Sequence, residues 1–366
     1  MKAIRLHGAG DARVDDIDEP ALRPGSVKIK IAYAGICGSD LAFYEQPYLP
    51  AEHVHPLMGT KGPTVLGHEF GGYVVDRAGD VTLGADGKPV TVGDLVAVRP
   101  NIADGTCPAC LRGEPNLCAN WGFIGLHGWG GGFSEYVVAP AENVYPMPAG
   151  ASAEDAAMVE SLAVAWAAVR RSGAGKGTTG LVIGAGPVGL GLLLCLQAVG
   201  ATRVVVSELS AARKTLAASL GADVVDPRER DVAEYVRSLT GGAGADVAFD
   251  ASGAGTTTFA AALDGLRSGG TSVVVAMSHG HVQVDPGTLL TSEKTVTGSF
   301  AYWHQDFQGV IDAIADGRLR PERLVTSRIP LIDAVDRGLR HLLDGGRETE
   351  VKVLVTPQGP MSRSNG

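Results

Sequence analysis

The spacing of hydrophobic positions changes near residue 150. Before it, apolar and polar residues alternate in short runs punctuated by Gly and Pro, and Val27–Ala32, Gly72–Val75, Val92–Arg99 and Phe133–Val138 each predict a strand. From Ala151 the texture changes: Met158, Leu162, Trp166 and Val169 recur at helical spacing and predict a helix over Ala153–Ser172. Strand-like segments (Thr179–Ile183, Arg203–Ser207, Val224–Asp226, Ala245–Phe249, Thr271–Ala276) then alternate with helical ones (Pro187–Val199, Ala211–Leu220, Val232–Thr240, Phe259–Leu266). Such alternation builds a doubly wound parallel sheet with helices on both faces, an α/β class of fold. A helix (Phe307–Ala315), a strand (Leu324–Arg328), a helix (Ala334–Leu343) and a closing strand (Val351–Val355) follow. The simplest layout is a β-rich domain from residues 1–150 and 300–366 interrupted by an α/β domain at 151–299. The Pro/Ser/Gly-rich stretch Thr356–Gly366 reads as a frayed end.

Composition narrows the class. At 366 residues and 45% hydrophobic content the chain supports two buried cores. A net charge of −9 without any basic cluster argues against a nucleic-acid partner. The opening Met1–Gly8 lacks the apolar run of a signal peptide, and the longest apolar stretches, such as Leu190–Val199, fall short of a membrane span. The expectation is a soluble cytoplasmic protein.

Three of the five cysteines, Cys107, Cys110 and Cys118, fall within twelve residues, shortly after Asp104. Three thiols leave one unpaired in any disulfide scheme, and clustered cysteines fit a reducing compartment. The turn-rich loop around them (Pro108, Gly113, Pro115, Asn116) needs an external staple. Asp104, Cys107, Cys110 and Cys118 therefore read as a closed structural zinc site.

The segment Gly184-Ala-Gly186-Pro187-Val188-Gly189 follows a strand and opens a helix. The first glycine permits a tight turn, the second lets a pyrophosphate approach the backbone, and the third permits close helix–strand packing. Glu208 ends the next strand, 19 residues beyond Gly189, where a carboxylate accepts hydrogen bonds from the adenosine ribose. That carboxylate would repel a 2′-phosphate, so NAD is favoured over NADP. Arg213, five residues on, softens the preference.

Cys37 in Gly35-Ile-Cys-Gly-Ser39-Asp40, His68 and Glu69 in Gly67-His-Glu-Phe-Gly71, and Glu160 are each unremarkable alone: a lone cysteine or histidine usually fills core, and a lone acid is usually solvated. Taken with Gly128-Trp-Gly-Gly-Gly-Phe133, Glu160-Ser-Leu-Ala-Val-Ala-Trp166, the cysteine row and the glycine turn, they carry a resemblance running from residue 1 to about residue 356. The chain resembles the zinc-dependent medium-chain dehydrogenases and is most similar to their 2,3-butanediol group, to which His53-Val-His55-Pro-Leu57 also points.

The resemblance implies a GroES-like catalytic domain split around a Rossmann domain, with a second, catalytic zinc on Cys37, His68 and Glu160 and with Glu69 as an alternating or neighbouring ligand. It also implies that Val275, Ser299 and Phe300 hold the nicotinamide carboxamide and that Lys352 reaches a pyrophosphate oxygen. In the mechanism it suggests, a secondary alcohol with a neighbouring oxygen passes hydride to NAD while Ser39 takes the hydroxyl proton. Two histidines usual in the butanediol pattern are absent: Ala42 and Ala167 stand in their places, and Ser161 replaces a usual proline. Asp40, His53 or His55 would have to substitute in the proton relay, while Trp303, Tyr44 and Trp121 are candidate pocket walls. The roomier site keeps a cyclitol, aminocyclitol or sugar-alcohol substrate open beside butanediol or acetoin; a non-catalytic nucleotide-binding protein is the distant alternative. By the same resemblance the chain assembles as a homodimer or homotetramer, with Thr271–Ala276 as the sheet edge that pairs.

Overall fold

The computed structural model describes residues 1–47, 53–59, 61–277 and 281–357, so the Thr356–Gly366 stretch lies outside the described residues from 358 onward. The chain forms two compact units: Met1–Glu160 with Trp303–Ala315 and Val325–Gly366, and Ser161–Tyr302 with Asp316–Leu324.

In the first unit the described strands include a mixed sheet in the order Val144–Pro146, Leu95–Val98, Glu69–Arg77, Ser26–Gly35, Lys352–Thr356 and Val325–Pro330. Tyr136–Pro140 also pairs with Ser26–Gly35. The central strand Ser26–Gly35 alternates buried Val27, Ile29, Ile31 with more exposed lysines, the half-buried pattern of an antiparallel sheet. Its antiparallel partner begins at Glu69, and Gly35 stands opposite that residue. The helix Ala153–Ser172 forms over the residues its apolar spacing predicts. Its first turns press on the sheet so closely that a Cβ on Gly71 would lie 2.5 Å from the Cβ of Ala156. Glu160, one turn further along the same face, is buried.

The second unit is built on parallel strands ordered Asp223–Val225, Arg203–Ser207, Thr179–Ile183, Ala245–Asp250, Leu266–Val274 and Thr295–Gly298. Leu181 and Ile183 face one core with Val232, Val236, Phe259 and Leu263 from the helices Val232–Leu239 and Thr256–Asp264. On the opposite face, a Cβ at Gly180 would meet Leu196 of the helix Pro187–Ala198 at 2.8 Å. Helices on both faces of a parallel sheet give the α/β doubly wound class that the alternating pattern predicts.

Several strand ends shift by a few residues from the sequence reading, and three differences go further. The helix expected at Phe259–Leu266 occupies Thr256–Asp264, because Leu266 already pairs with Ala245 and starts the next strand. The segment Ala334–Leu343 is helical but divided, a π-helix over Ala334–Arg340 followed by an α-turn at His341–Leu343. The strand expected at Thr271–Ala276 runs Leu266–Val274 and is not an edge, since Thr295–Gly298 pairs outside it. That outer strand escaped notice because it is short and mostly exposed, without apolar alternation.

Candidate metal and dinucleotide sites

Asp40 links the two turns that carry Cys37 and His68. Cys37 is the N-cap of the helix Gly38–Glu45, and Asp40, three residues on, folds back so that its Oδ2 accepts the Cys37 N–H (2.9 Å). Its Oδ1 accepts the Gly67 N–H (3.3 Å) and lies 3.3 Å from His68 Nδ1. One fully buried carboxylate thus ties both turns and fixes one side of the imidazole, leaving Nε2 to face Ser39 Oγ at 3.2 Å. Donor atoms of Cys37, His68 and Glu69 all lie within 4.8 Å of one another.

A cation suits this place. A tetrahedral ion with Zn–S and Zn–N bonds of 2.0–2.3 Å needs its donors roughly 3.3–3.8 Å apart, a small contraction of the cluster. Burial pushes the His68 pKa down, but the charges of Asp40 and Cys37 and hydrogen bonds to both outweigh it and raise the pKa well above the ordinary value. The surroundings stabilise positive charge on these donors.

Glu69 is engaged already. Lys352 Nζ donates to Glu69 Oε1 (2.8 Å) and Oε2 (2.6 Å) and to the Ile36 carbonyl (3.4 Å), with both side chains almost wholly enclosed (2% and 1% exposed). Burial lowers the Lys352 pKa, yet the charges of Glu69 and Cys37, the Glu69 hydrogen bond and the Glu160 charge raise it further, and the net direction is up. The expectation that Lys352 reaches a pyrophosphate is therefore corrected: its strand is buried along its length, and its ammonium is committed to Glu69. Glu160 is buried and close enough for its charge to act on Lys352, but it stands outside the 4.8 Å cluster.

The relay candidates lie in different surroundings. Asp40 positions turns and lies fully buried. His55 accepts the Leu57 and Met58 N–H groups on Nδ1 (3.3 Å each) and faces the Trp121 carbonyl through Nε2 (3.0 Å), so both nitrogens are committed to backbone. His53 is exposed. Among the candidate pocket walls, Tyr44 accepts from Arg340 Nε (3.3 Å), Trp303 lies under the Arg99 guanidinium (4.1 Å), and Trp121 packs edgewise on Phe123. His127, absent from the sequence reading, is buried and accepts the Phe123 N–H on Nδ1 (2.9 Å). Only the Cys37–Asp40 spacing, that of a capping box, could have revealed any of these supporting contacts from sequence.

The loop cluster assembles locally. Donor atoms of Asp104, Cys107, Cys110 and Cys118 lie within 4.8 Å of one another, and the Cys107 and Cys110 sulfurs are 3.5 Å apart with no disulfide formed. Asp104 Oδ1 accepts the Thr106 and Cys107 N–H groups (2.8 and 2.9 Å), and Oδ2 accepts from Asn120 Nδ2 (2.9 Å). These donors, Cys107 first, hold the carboxyl well below its usual range, ready as an anionic ligand. Burial and the neighbouring sulfurs of Cys107 and Cys118 push the Cys110 thiol up to about 12, as expected where thiols crowd together. Three sulfurs and a carboxylate fit a closed zinc site.

In the second unit the glycine turn has the geometry of a dinucleotide cradle. Gly184 has φ +95°, and a Cβ on Gly189 would lie 1.9 Å from the Gly184 carbonyl. Gly186 caps the helix that begins at Pro187, and a Cβ there would meet only Arg213 Nη1, at 3.8 Å, so the space above it is open. Val188 lies in the first helical turn, where amide donors outnumber intrahelical acceptors. Glu208 is tied to the turn: Oε2 accepts the Ala185 N–H (2.7 Å), and Oε1 accepts those of Leu209 and Ser210 (2.7 and 2.8 Å). At the far end of the sheet, Val275 N–H donates to the Asp250 carbonyl (3.2 Å) and Ser299 N–H to that of Val274 (3.0 Å), while Phe300 is half-exposed.

Comparison with known proteins agrees with this geometry. Residues 23–149 match the alcohol dehydrogenase GroES-like domain, and residues 187–316 match the zinc-binding dehydrogenase domain. The chain belongs to the zinc-binding alcohol dehydrogenase family. It is 37% identical to the (R,R)-butanediol dehydrogenase of Bacillus subtilis (strain 168), over 98% of this chain and the whole of that one. The crystal structure of 2R,3R-butanediol dehydrogenase from Bacillus subtilis superposes with a TM-score of 0.89, covering 98% of this chain and 99% of that one. A putative zinc-binding dehydrogenase from Sinorhizobium meliloti 1021, solved bound to NADP, is 30% identical with a TM-score of 0.84, covering 97% and 99%. The chain is thus an oxidoreductase whose cofactors are zinc and a nicotinamide dinucleotide. Among the described residues no helix is long and apolar enough to cross a membrane.

Replacing Lys352 with Met leaves the Glu69 carboxylate buried without its cation. Chemical denaturation should show a loss of about 3–5 kcal/mol; Glu69→Gln combined with Lys352→Met should recover part of it, and unchanged stability in the single variant would contradict the pairing.

Proposed function

We propose that this enzyme interconverts a vicinal diol and its hydroxyketone, of the 2,3-butanediol and acetoin type, with NAD as hydride partner. The observation that carries the proposal is the Cys37–His68–Glu69 cluster, with Glu160 buried nearby, in a chain 37% identical to a butanediol dehydrogenase. When bound, zinc would supply the Lewis acidity that lowers the pKa of an alcohol hydroxyl, and the nicotinamide would supply the hydride-accepting chemistry.

The chain's own residues do the rest. Cys37 and His68 hold the metal together with a carboxylate. Because both oxygens of Glu69 are bonded to Lys352, Glu160 enters as that carboxylate, and Glu69 remains the neighbouring group that keeps Lys352 neutralised. Asp40 orients His68 from the Nδ1 side. Ser39, exposed and beside His68 Nε2, takes the substrate's hydroxyl proton on Oγ while its own proton leaves to solvent. Asp104, Cys107, Cys110 and Cys118 hold a second zinc that closes the loop. Gly184, Gly186 and Gly189, with Pro187 and Val188, cradle the pyrophosphate beside Arg213, and Glu208 meets the ribose. Val275, Ser299 and Phe300 present backbone to the carboxamide.

The preference for NAD rests on Glu208: its carboxylate, fixed by three backbone donors, would face a 2′-phosphate with like charge. We further propose a homodimer joined at the outer strand Thr295–Gly298, whose outer edge has no strand partner among the described residues; Val296 on it, Phe300 just after it and Leu290 (80%) in the preceding helix Pro286–Ser292 are exposed.

Three outcomes test these assignments. Cys37→Ser should abolish turnover of butanediol while sparing NAD binding and the fold, whereas Cys110→Ser should lower the melting temperature; full activity in Cys37→Ser, read as NADH absorbance, would remove the catalytic assignment. Glu208→Ala should raise kcat/KM with NADP relative to NAD by about tenfold or more, and an unchanged ratio would place discrimination elsewhere. Leu290→Glu with Val296→Lys should halve the mass measured by sedimentation; an unaltered assembly would exclude this edge.

A further inference from the structure

One backbone hydrogen bond and then a run of ring contacts join the loop cluster to His68, entirely within the first unit. Cys118, the last loop donor, accepts the Trp121 N–H on its carbonyl at 3.2 Å. The Trp121 ring stands perpendicular to Phe123, with centroids 5.4 Å apart, and Phe123 meets the His68 ring nearly edge-on at 6.1 Å. Trp121 also meets His127 edge-on at 5.1 Å.

The segment carrying this stack is gripped on both sides. His55 Nε2 bonds the Trp121 carbonyl (3.0 Å), and the Phe123 N–H donates to His127 Nδ1 (2.9 Å). Between them, a Cβ on Gly122 would lie 2.7 Å from His55 Cε1, so the strand lies flush against that ring. The His127 pKa is pushed down to about 4, chiefly by burial and then by the charges of His55, His53 and His68, so the ring stays a neutral acceptor. The loop itself has no such support: its short helix Pro108–Leu111 buries no residue, and Leu111 is 75% exposed.

We propose that Trp121 is a positioning residue that couples metal binding at the Asp104–Cys107–Cys110–Cys118 loop to metal binding at Cys37 and His68. This rests on the reading of both clusters as zinc sites. An ion in the loop fixes Cys118, Cys118 fixes the start of the 121–123 segment, and Trp121 backs Phe123 against the His68 ring. Without the loop ion the donors of a loop with no core of its own separate, Trp121 relaxes, and His68 loses the wall that sets its ring plane. Packed aromatic contacts transmit such a change because close-packed interiors have few intermediate arrangements. Coupling between equilibrium affinities is reciprocal, so an ion on Cys37 and His68 must tighten the loop site by the same factor.

The test is zinc affinity at each site, measured by competition with a chromophoric chelator on the full chain. In Cys110→Ser, which disables the loop, affinity at the Cys37 site should fall about tenfold. Trp121→Ala should show the same fall with its loop donors intact, and Trp121→Phe should recover most of it. The Cys110→Ser and Trp121→Ala double variant should lose no more than either alone, and Cys37→Ser should weaken the loop site by a matching factor. Affinity at the Cys37 site within twofold of the parent in folded Trp121→Ala, or losses that multiply in the double variant, overturn the coupling. Should Trp121→Ala fail to fold, Trp121→Leu, which keeps bulk without the ring, carries the same expectation and the same contrary result. A parent protein binding fewer than two zinc ions per chain counts instead against the reading of the clusters, which separates the two failures.

Discussion

Gly35 stands opposite Glu69 across an antiparallel ladder, and a Cβ at position 35 would lie 2.0 Å from Glu69 Oε2. The missing side chain gives the Glu69 carboxylate its space, and Lys352 on the next strand fills the remainder with an ammonium. That single register fixes the candidate catalytic centre. Two residues past Gly35 comes Cys37, and one residue before Glu69 comes His68, so pairing the strands brings a thiol and an imidazole together from 31 positions apart. A slip of one residue would turn Glu69 to the other face of the sheet and separate the donors.

The electrostatics follow from that packing. Several charged or ionisable groups (Cys37, Asp40, His68, Glu69, Glu160, Lys352) share one region, and all but Cys37 are buried. Ionised groups persist in such surroundings only when paired, and here the pairs are specific: Lys352 with Glu69, and Asp40 with His68 and two backbone amides. The Cys37 thiol lies where the charges around His68 and Lys352 favour a cation, which is the chemical demand of a Lewis-acidic ion. The loop cluster solves a different problem. Its donors come from one short segment whose helix Pro108–Leu111 buries no residue, so an ion there would substitute for a core.

What the sequence disclosed follows the distance over which each feature is built. The alternation of strands and helices between Thr179 and Asp250, the glycine turn with Glu208, and the cysteine loop are all local, and they stand within a few residues of where periodicity and spacing put them. Cys37 and His68 lie far apart in the chain, so their association was legible only through family resemblance; residue type alone makes each an ordinary core or surface residue. The resemblance puts Lys352 at a pyrophosphate, and no local pattern points instead to its partner, Glu69, 283 residues away. The outer strand Thr295–Gly298 was missed because an exposed edge has no need of apolar alternation. The 121–123 segment stayed hidden because its significance lies in ring-to-ring contacts that no spacing rule encodes.

The central claim is that two donor sets of different chemistry hold two zinc ions, one with a single sulfur and one with three. X-ray absorption at the zinc edge on purified protein, combined with metal content, tests this most directly. The expected result is two zinc ions per chain with an average of two sulfur donors at about 2.3 Å, the remainder being nitrogen and oxygen at about 2.0–2.2 Å. One ion with three or four sulfurs, or a spectrum without sulfur, would contradict the account.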